Sequence, residues 1–397
     1  MPTQGFCAPR FAEVAEEFER NFVERGEVGA AVAVTVDGET VVDLTGGPWD
    51  EDTLVHVWSC TKGATSLCAH ILAARGELNL NAPVVDYWPE FAKHGKDRVL
   101  VRHLLSHQAG LPALRQPLAQ GAFYDWDAMT SALAAEEPFW EPGTRNGYHG
   151  LTFGFLVGEV IRRASGRDLG TFFRDEVAGP LGLEFWLGLP EELEPRVTPT
   201  IPADLTLPGV QVPSMFVAAF ADASSIPGQL LFNNGGYMLP GESDTRAAHA
   251  AVMGAVGGIT NARGLAGMYR PLALGGGPLV DPGQVATMGA VSAAGLDASV
   301  LVPTRWALGF AKSVDNRYLP DADSEGVLLS EEAFGHSGFG GSIGFADPRA
   351  RLSFGYVMDK QGPGLGINER GQSLVDAVYR ALGYQRPDKD GGIWYAM

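Results

Sequence analysis

Ser59 and Lys62 stand three residues apart in Ser59-Cys60-Thr61-Lys62, a spacing that sets an ammonium beside a hydroxyl on one helix face. The small and apolar residues that follow, Ala64, Leu67, Cys68, Ile71 and Leu72, recur at helical spacing until Gly76 ends the pattern. A serine at a helix start also has unpaired backbone N–H groups and the positive dipole end nearby, which suit a developing oxyanion. The pair reads as a nucleophile with its activator, the chemistry of acyl transfer. Ser-x-x-Lys also arises by chance, as an N-cap serine and an exposed lysine, so its company decides its meaning.

That company is ordered. Arg102-His103-Leu104-Leu105-Ser106-His107-Gln108-Ala109-Gly110-Leu111-Pro112 comes first, then Trp140-Glu141-Pro142-Gly143-Thr144 with Tyr148-His149-Gly150 close behind. Gly257-Gly258-Ile259-Thr260-Asn261-Ala262-Arg263 follows, and His336-Ser337-Gly338-Phe339-Gly340-Gly341-Ser342 lies near the C-terminus. In this order and spacing the set resembles the serine β-lactamase-like superfamily, and within it the family VIII carboxylesterases, esterases of the class C β-lactamase type. The resemblance runs from about Val28 to about Leu382.

The resemblance implies an α+β fold of the β-lactamase/transpeptidase-like kind: an antiparallel sheet flanked by helices, plus a mainly helical lobe. It implies one domain, with an α/β lobe from 1–75 and 250–397 and a helical lobe from 76–249. Ser59 is then the nucleophile and Tyr148 its partner in proton transfer. A free tyrosine has a pKa near 10, so Tyr148 serves as base only if the charge on Lys62 favours its phenolate. Lys62 as direct base is the rival assignment. The backbone N–H groups of Ser59 and Phe339 correspond to the family's oxyanion hole. His336, Ser337, Gly338, Trp140 and His149 are the expected substrate contacts.

Two departures from the antibiotic-hydrolysing pattern point to neutral esters. Tyr148-His149-Gly150 lacks the asparagine of the family's Tyr-x-Asn, and His336 replaces the lysine of Lys-Thr-Gly with a group of reference pKa about 6.5. The expectation is a serine carboxylesterase for small to moderate acyl groups. A β-lactamase, D-aminopeptidase, amide hydrolase or acyltransferase on the same site stays open, as does a non-catalytic scaffold.

The elements that must position these residues are partly legible. Ala30–Val36 and Thr40–Leu44 read as strands joined at Asp37-Gly38. Strand-like alternation returns at Trp306–Ala311, Gly344–Phe345 and Leu352–Val357, and a helix is expected over Leu151–Ala164 and another over Gln372–Leu382. The N-terminal stretch, Met1 to Glu27, has no basic leader followed by an apolar core and reads as an amphipathic helix through Phe11, Val14, Ala15, Phe18 and Phe22.

Composition fits a large-cored enzyme: 397 residues, 45% of them hydrophobic, and a formal net charge of −18. That charge argues against nucleic acid or an anionic membrane as partner, and no apolar run has the length of a span. Three cysteines, Cys7, Cys60 and Cys68, suggest reduced thiols and a cytoplasmic address. No cofactor is implied, a small ester is the expected partner, and no heptad seam speaks to oligomeric state. Phe123, Tyr124 and Trp126, and the apolar stretch Ile201–Leu239, are expected to pack more often than to bind. Two signals are discounted: Gly340-Gly341-Ser342-Ile343-Gly344 leads into a strand rather than a helix, and His103 and His107 lack the intervening glutamate of a zinc motif.

Overall fold

The computed structural model describes residues 3–206, 210–320, 323, 326–387 and 392–396. Its strands are β1 (Thr3–Cys7), β2 (Ala30–Val36), β3 (Glu39–Gly46), β4 (Val55–His56), β5 (Phe185–Leu187), β6 (Gly258–Thr260), β7 (Ala293–Leu296), β8 (Pro303–Trp306), β9 (Phe334–Ser337), β10 (Ile343–Asp347) and β11 (Leu352–Met358). An antiparallel six-stranded sheet has the order β1-β3-β2-β11-β10-β9, so N- and C-terminal segments meet at β2 and β11. The strands expected at both ends of the chain therefore build one sheet.

Alternation assigns its faces. Val32 and Val34 of β2, with Phe345, Phe354 and Tyr356, pack against helices α1 (Ala12–Glu24) and, at the other end of the chain, Glu369–Ala381. Ala31 and Ala33 face the opposite way, toward Thr61–Ala74 (α2) and the later helix Ala262–Ala273. That second face is lined by small residues because the later helix lies close on it. A Cβ at Gly355 would stand 2.5 Å from the Ala262 carbonyl oxygen, and one at Gly344 2.6 Å from Leu265.

Between the sheet-forming ends run α3 (Val101–Leu105), α4 (Trp126–Ala135), α5 (Phe153–Ser165), α6 (Leu169–Phe173), α7 (Gly179–Leu181), α8 (Ser214–Ala221), α9 (Ile226–Phe232) and α10 (Arg246–Ala250). The helices named above by range become α11 (Ala262–Ala273) and α13 (Glu369–Ala381), with α12 (Pro282–Gly289) between them. Helix α2 is buried along nearly its whole length, and its polar stripe is met from within. Ser66 donates to the Gly309 carbonyl, and His70 bonds the Leu308 carbonyl and Gln284.

Two expectations are corrected. Residues 3–7 form the edge strand β1 rather than helix, pairing with β3 from Thr3 opposite Gly46 to Cys7 opposite Val42. A short, mostly exposed edge strand carries no alternation signal. The strand expected over Trp306–Ala311 stops at Trp306, because the chain turns at 307–310 to cap the polar stripe of α2. The mainly helical segment 76–249 also contributes β5, which pairs with β6, and β6 pairs with β4 as well, so a small sheet joins it to both flanking parts. Among the described residues no single helix is long and apolar enough to cross a membrane.

Candidate active site

Ser59 lies where β4 gives way to α2. Trp58 takes a left-handed conformation (φ 47°), unusual for a bulky residue, and a 3-10 turn over Trp58–Cys60 leads into the helix. Thr61 fixes the bend: its hydroxyl donates to the Trp58 carbonyl and accepts the Gly258 N–H at 2.8 Å. The Gly257-Gly258 motif thus ties strand β6 to the start of α2.

Lys62 is fully buried one helical turn beyond Ser59. Its Nζ lies 3.0 Å from Ser59 Oγ, 2.7 Å from the Gly150 carbonyl oxygen and 3.0 Å from the Ala255 carbonyl oxygen. Burial pushes its pKa well below the ordinary lysine value. These three oxygens, two carbonyls and the Ser59 hydroxyl, surround Nζ.

Tyr148 completes the cluster: its hydroxyl donates to Ser59 Oγ at 2.8 Å, and Lys62 Nζ stands 4.7 Å from its ring centroid. Burial pushes the phenol pKa above its usual value, with the charge of Asp297 adding to the effect. The expectation that Lys62 favours a Tyr148 phenolate meets an opposing effect, since burial disfavours charge on both groups. His107 and His336 also border the Tyr148 ring, at centroid separations of 5.0 and 6.0 Å, and burial lowers the pKa of both.

Strand β9 approaches from the other side. A Cβ at Gly338 would stand 2.4 Å from the Val57 carbonyl oxygen, so only glycine lets this backbone pass the start of the Ser59 turn. The Cys60 thiol donates to the His336 carbonyl at 3.3 Å, and the Phe339 ring packs edge-on against Trp58. The segments bearing the Ser59 and Phe339 N–H groups are thereby brought into contact. His336 stacks on Tyr148 and Trp306; its Nδ1 lies 2.7 Å from the Ser337 carbonyl oxygen, while its buried Nε2 has no partner. Burial lowers its pKa to about 3, so it carries no charge at neutral pH.

Two expected substrate contacts sit elsewhere. His149 is fully buried; Nε2 accepts the Leu111 N–H at 3.0 Å and Nδ1 lies 2.7 Å from the Gly147 carbonyl oxygen. Both nitrogens serve the loop, leaving none for a substrate. Trp140 lies against Gly147 and edge-on to His149, supporting the segment that carries Tyr148. The discounted signals are occupied too. Ser342 is buried in the turn between β9 and β10, and His103 and His107 accept backbone N–H groups of Leu100 and His149. Phe123, Tyr124 and Trp126 pack or bond within the protein, to Tyr237, Glu242 and Glu159. Among the described residues no group of His, Cys, Asp or Glu forms a metal cluster.

Asp297 and Trp306 escaped the sequence reading. The Asp297 carboxylate is buried and accepts the N–H groups of Tyr148, Ser299 and Val300 through Oδ1, and the Thr304 hydroxyl through Oδ2. Trp306 lies parallel to the Tyr148 ring, 2° between planes and 5.3 Å between centroids. Gly295-Leu296-Asp297-Ala298-Ser299 has no motif that could have singled Asp297 out.

Comparison with known proteins places this geometry. A family model described as Beta-lactamase matches residues 15–377. The esterase/beta-lactamase LipL of Mycobacterium tuberculosis is 33% identical over 382 residues, covering 90% of this chain and 82% of LipL. The crystal structure of a family VIII carboxylesterase superposes with a TM-score of 0.82 at 37% identity, over 96% of this chain and 100% of that one. EstA from Arthrobacter nitroguajacolicus Rue61a superposes with a TM-score of 0.84 at 32% identity, over 96% and 99%. The chain belongs to the beta-lactamase family and lies close to its family VIII carboxylesterases.

Proposed function

We propose that this protein is a serine hydrolase of uncharged carboxylic esters, with small to moderate acyl groups, acting through an acyl-enzyme on Ser59. The observation that carries the reading is the bracketing of Ser59 Oγ by Lys62 Nζ at 3.0 Å and the Tyr148 hydroxyl at 2.8 Å. The names of LipL, EstA and the family VIII carboxylesterase support ester chemistry.

In this mechanism the Lys62 lone pair takes the Ser59 proton as Oγ attacks the ester carbonyl. The backbone N–H groups of Ser59 and Phe339 receive the oxyanion. The C–O bond to the alcohol breaks, and Tyr148 gives its proton to the departing oxygen. Its phenolate forms only now, beside the newly charged Lys62, so the pair is neutral overall. In the second half Tyr148 recovers a proton from water as that water attacks the acyl carbon. Lys62 then returns its proton to Ser59 as the acid leaves. Each group acts once in each direction, and no cofactor is required.

The uncharged His336 offers no fixed cation for a substrate carboxylate, which favours esters over β-lactams. LipL's name carries both activities, so β-lactam hydrolysis is the second reading. The deciding experiment compares p-nitrophenyl acetate, butyrate and octanoate with a chromogenic cephalosporin, on wild type and Ser59→Ala. Ester turnover that disappears in Ser59→Ala, with little cephalosporin cleavage, supports the proposal. Cephalosporin cleavage faster than ester cleavage, or ester turnover surviving in Ser59→Ala, overturns it.

A further inference from the structure

Beside Tyr148 lies a cavity of about 120 Å³. Val302, Val314, Leu365 and Trp306 supply much of its wall, which Tyr148 and His336 also line, and the Tyr148 hydroxyl is bonded to Ser59 Oγ. Three charged residues, two cations and one carboxylate, also reach it, and each is bonded within the protein. Arg305 pairs with Glu331, Lys312 donates to the carbonyls of Glu331 and Ala333, and Asp323 accepts the Ser214 N–H and hydroxyl. The wall therefore meets a guest mainly with apolar surface. Roughly 150 Å³ of dry cavity holds a benzene ring, so this one suits a branched chain or a single ring reaching toward its mouth.

We infer that this cavity receives the alcohol portion of the ester and selects an uncharged, apolar alcohol of up to about one six-membered ring. The inference rests on the ester-hydrolase reading and adds which half of the substrate lies where. The departing oxygen must meet the group that protonates it, and the Tyr148 hydroxyl, already bonded to Ser59 Oγ, belongs to a ring that forms the cavity wall. The oxyanion groups, on Ser59 and Phe339, are not part of that wall. A carbonyl held by those two N–H groups, with its ester oxygen toward Tyr148, directs the alcohol into the cavity. His336 lines the cavity beside Tyr148 with an unpartnered Nε2 and no charge, so it offers an anionic alcohol no counterion.

The test varies one half of the ester at a time. Acetates of methanol, cyclohexanol and benzyl alcohol probe the alcohol side; methyl acetate, butyrate and octanoate probe the acyl side. Val302→Trp and, separately, Leu365→Trp fill the cavity while leaving Ser59, Lys62 and Tyr148 unsubstituted. Each is expected to lower kcat/KM for cyclohexyl and benzyl acetate at least about tenfold, while methyl acetate changes far less. Retained methyl acetate turnover certifies the fold. In unmodified protein, benzyl alcohol should inhibit methyl acetate hydrolysis competitively. Altered acyl-length preference with unchanged alcohol preference overturns the assignment, and so does the absence of inhibition by benzyl alcohol. Failure of wild type to hydrolyse any ester overturns the ester reading itself, a distinguishable result.

Discussion

Asp297 Oδ1 accepts the backbone N–H of Tyr148 at 2.8 Å, joining a residue of the 297–302 loop to the residue whose hydroxyl bonds Ser59 Oγ. The same oxygen holds Ser299 and Val300, and Asn146, two residues before Tyr148, donates to Thr304 at 2.8 Å. Tyr148 is thus fixed through its backbone by the loop and through its ring by Trp306. Asp297→Ala leaves three buried N–H groups without their acceptor. A loss of about 3 kcal/mol or more is expected, since each orphaned donor costs roughly 1–3 kcal/mol. Thermal denaturation measures it, and ester turnover per folded molecule should fall as well.

Lys62→Arg separates a base from a bystander charge. Arginine keeps the positive charge yet cannot give up its proton near neutrality. If Lys62 takes the Ser59 proton, turnover should drop by roughly 10²–10⁴-fold, the range typical for a lost general base. Near-normal ester hydrolysis by Lys62→Arg would leave Lys62 as an electrostatic prop only.

In the proposed mechanism Tyr148→Phe removes the proton donor for the alcohol and the base for water. Turnover should fall by a similar factor, and deacylation should suffer alongside acylation. Mass spectrometry of the Ser59 peptide after mixing with p-nitrophenyl acetate should then find acetylated serine that wild type does not accumulate. Free Ser59 together with normal rates would refute the role.

The buried amine also shapes the dependence of stability on pH. Folding lowers the Lys62 pKa, so in the window below the free lysine value of about 10.4 the unfolded chain holds a proton that the folded chain lacks. The resulting penalty is largest at low pH and fades as pH climbs toward that value. Measured against Lys62→Met, wild-type stability should therefore improve steadily from pH 7 to pH 10 in denaturant titrations. A difference that stays flat would mean that Lys62 remains protonated in the fold.

Ser342→Ala tests the competing serine. Its hydroxyl is buried without a hydrogen-bond partner, and the turn holding it opens into β10. Activity should stay within about twofold of wild type, and stability within roughly 0.5 kcal/mol or slightly above it. A collapse of turnover comparable to Ser59→Ala would identify a different nucleophile.

Local pattern determined much of this protein. Ser59 and Lys62 share a helix face because three residues nearly complete one turn, and the order of five motifs carried the family and the α+β plan. The alternation in β2, β10 and β11 and the periodicity of α1 and α13 were equally readable, because each depends on one face meeting the core. What packing alone decided was electrostatic and long-range. The carbonyls of Gly150 and Ala255 reach Lys62 from 88 and 193 residues away, and burial there lowers the pKa that its residue type suggests. His149 looked like a substrate contact by its place beside Tyr148, yet the fold spends both its nitrogens on backbone. Asp297, silent in the sequence, became the anchor of the Tyr148 loop, because a carboxylate acquires that role only when the chain folds three backbone N–H groups around it.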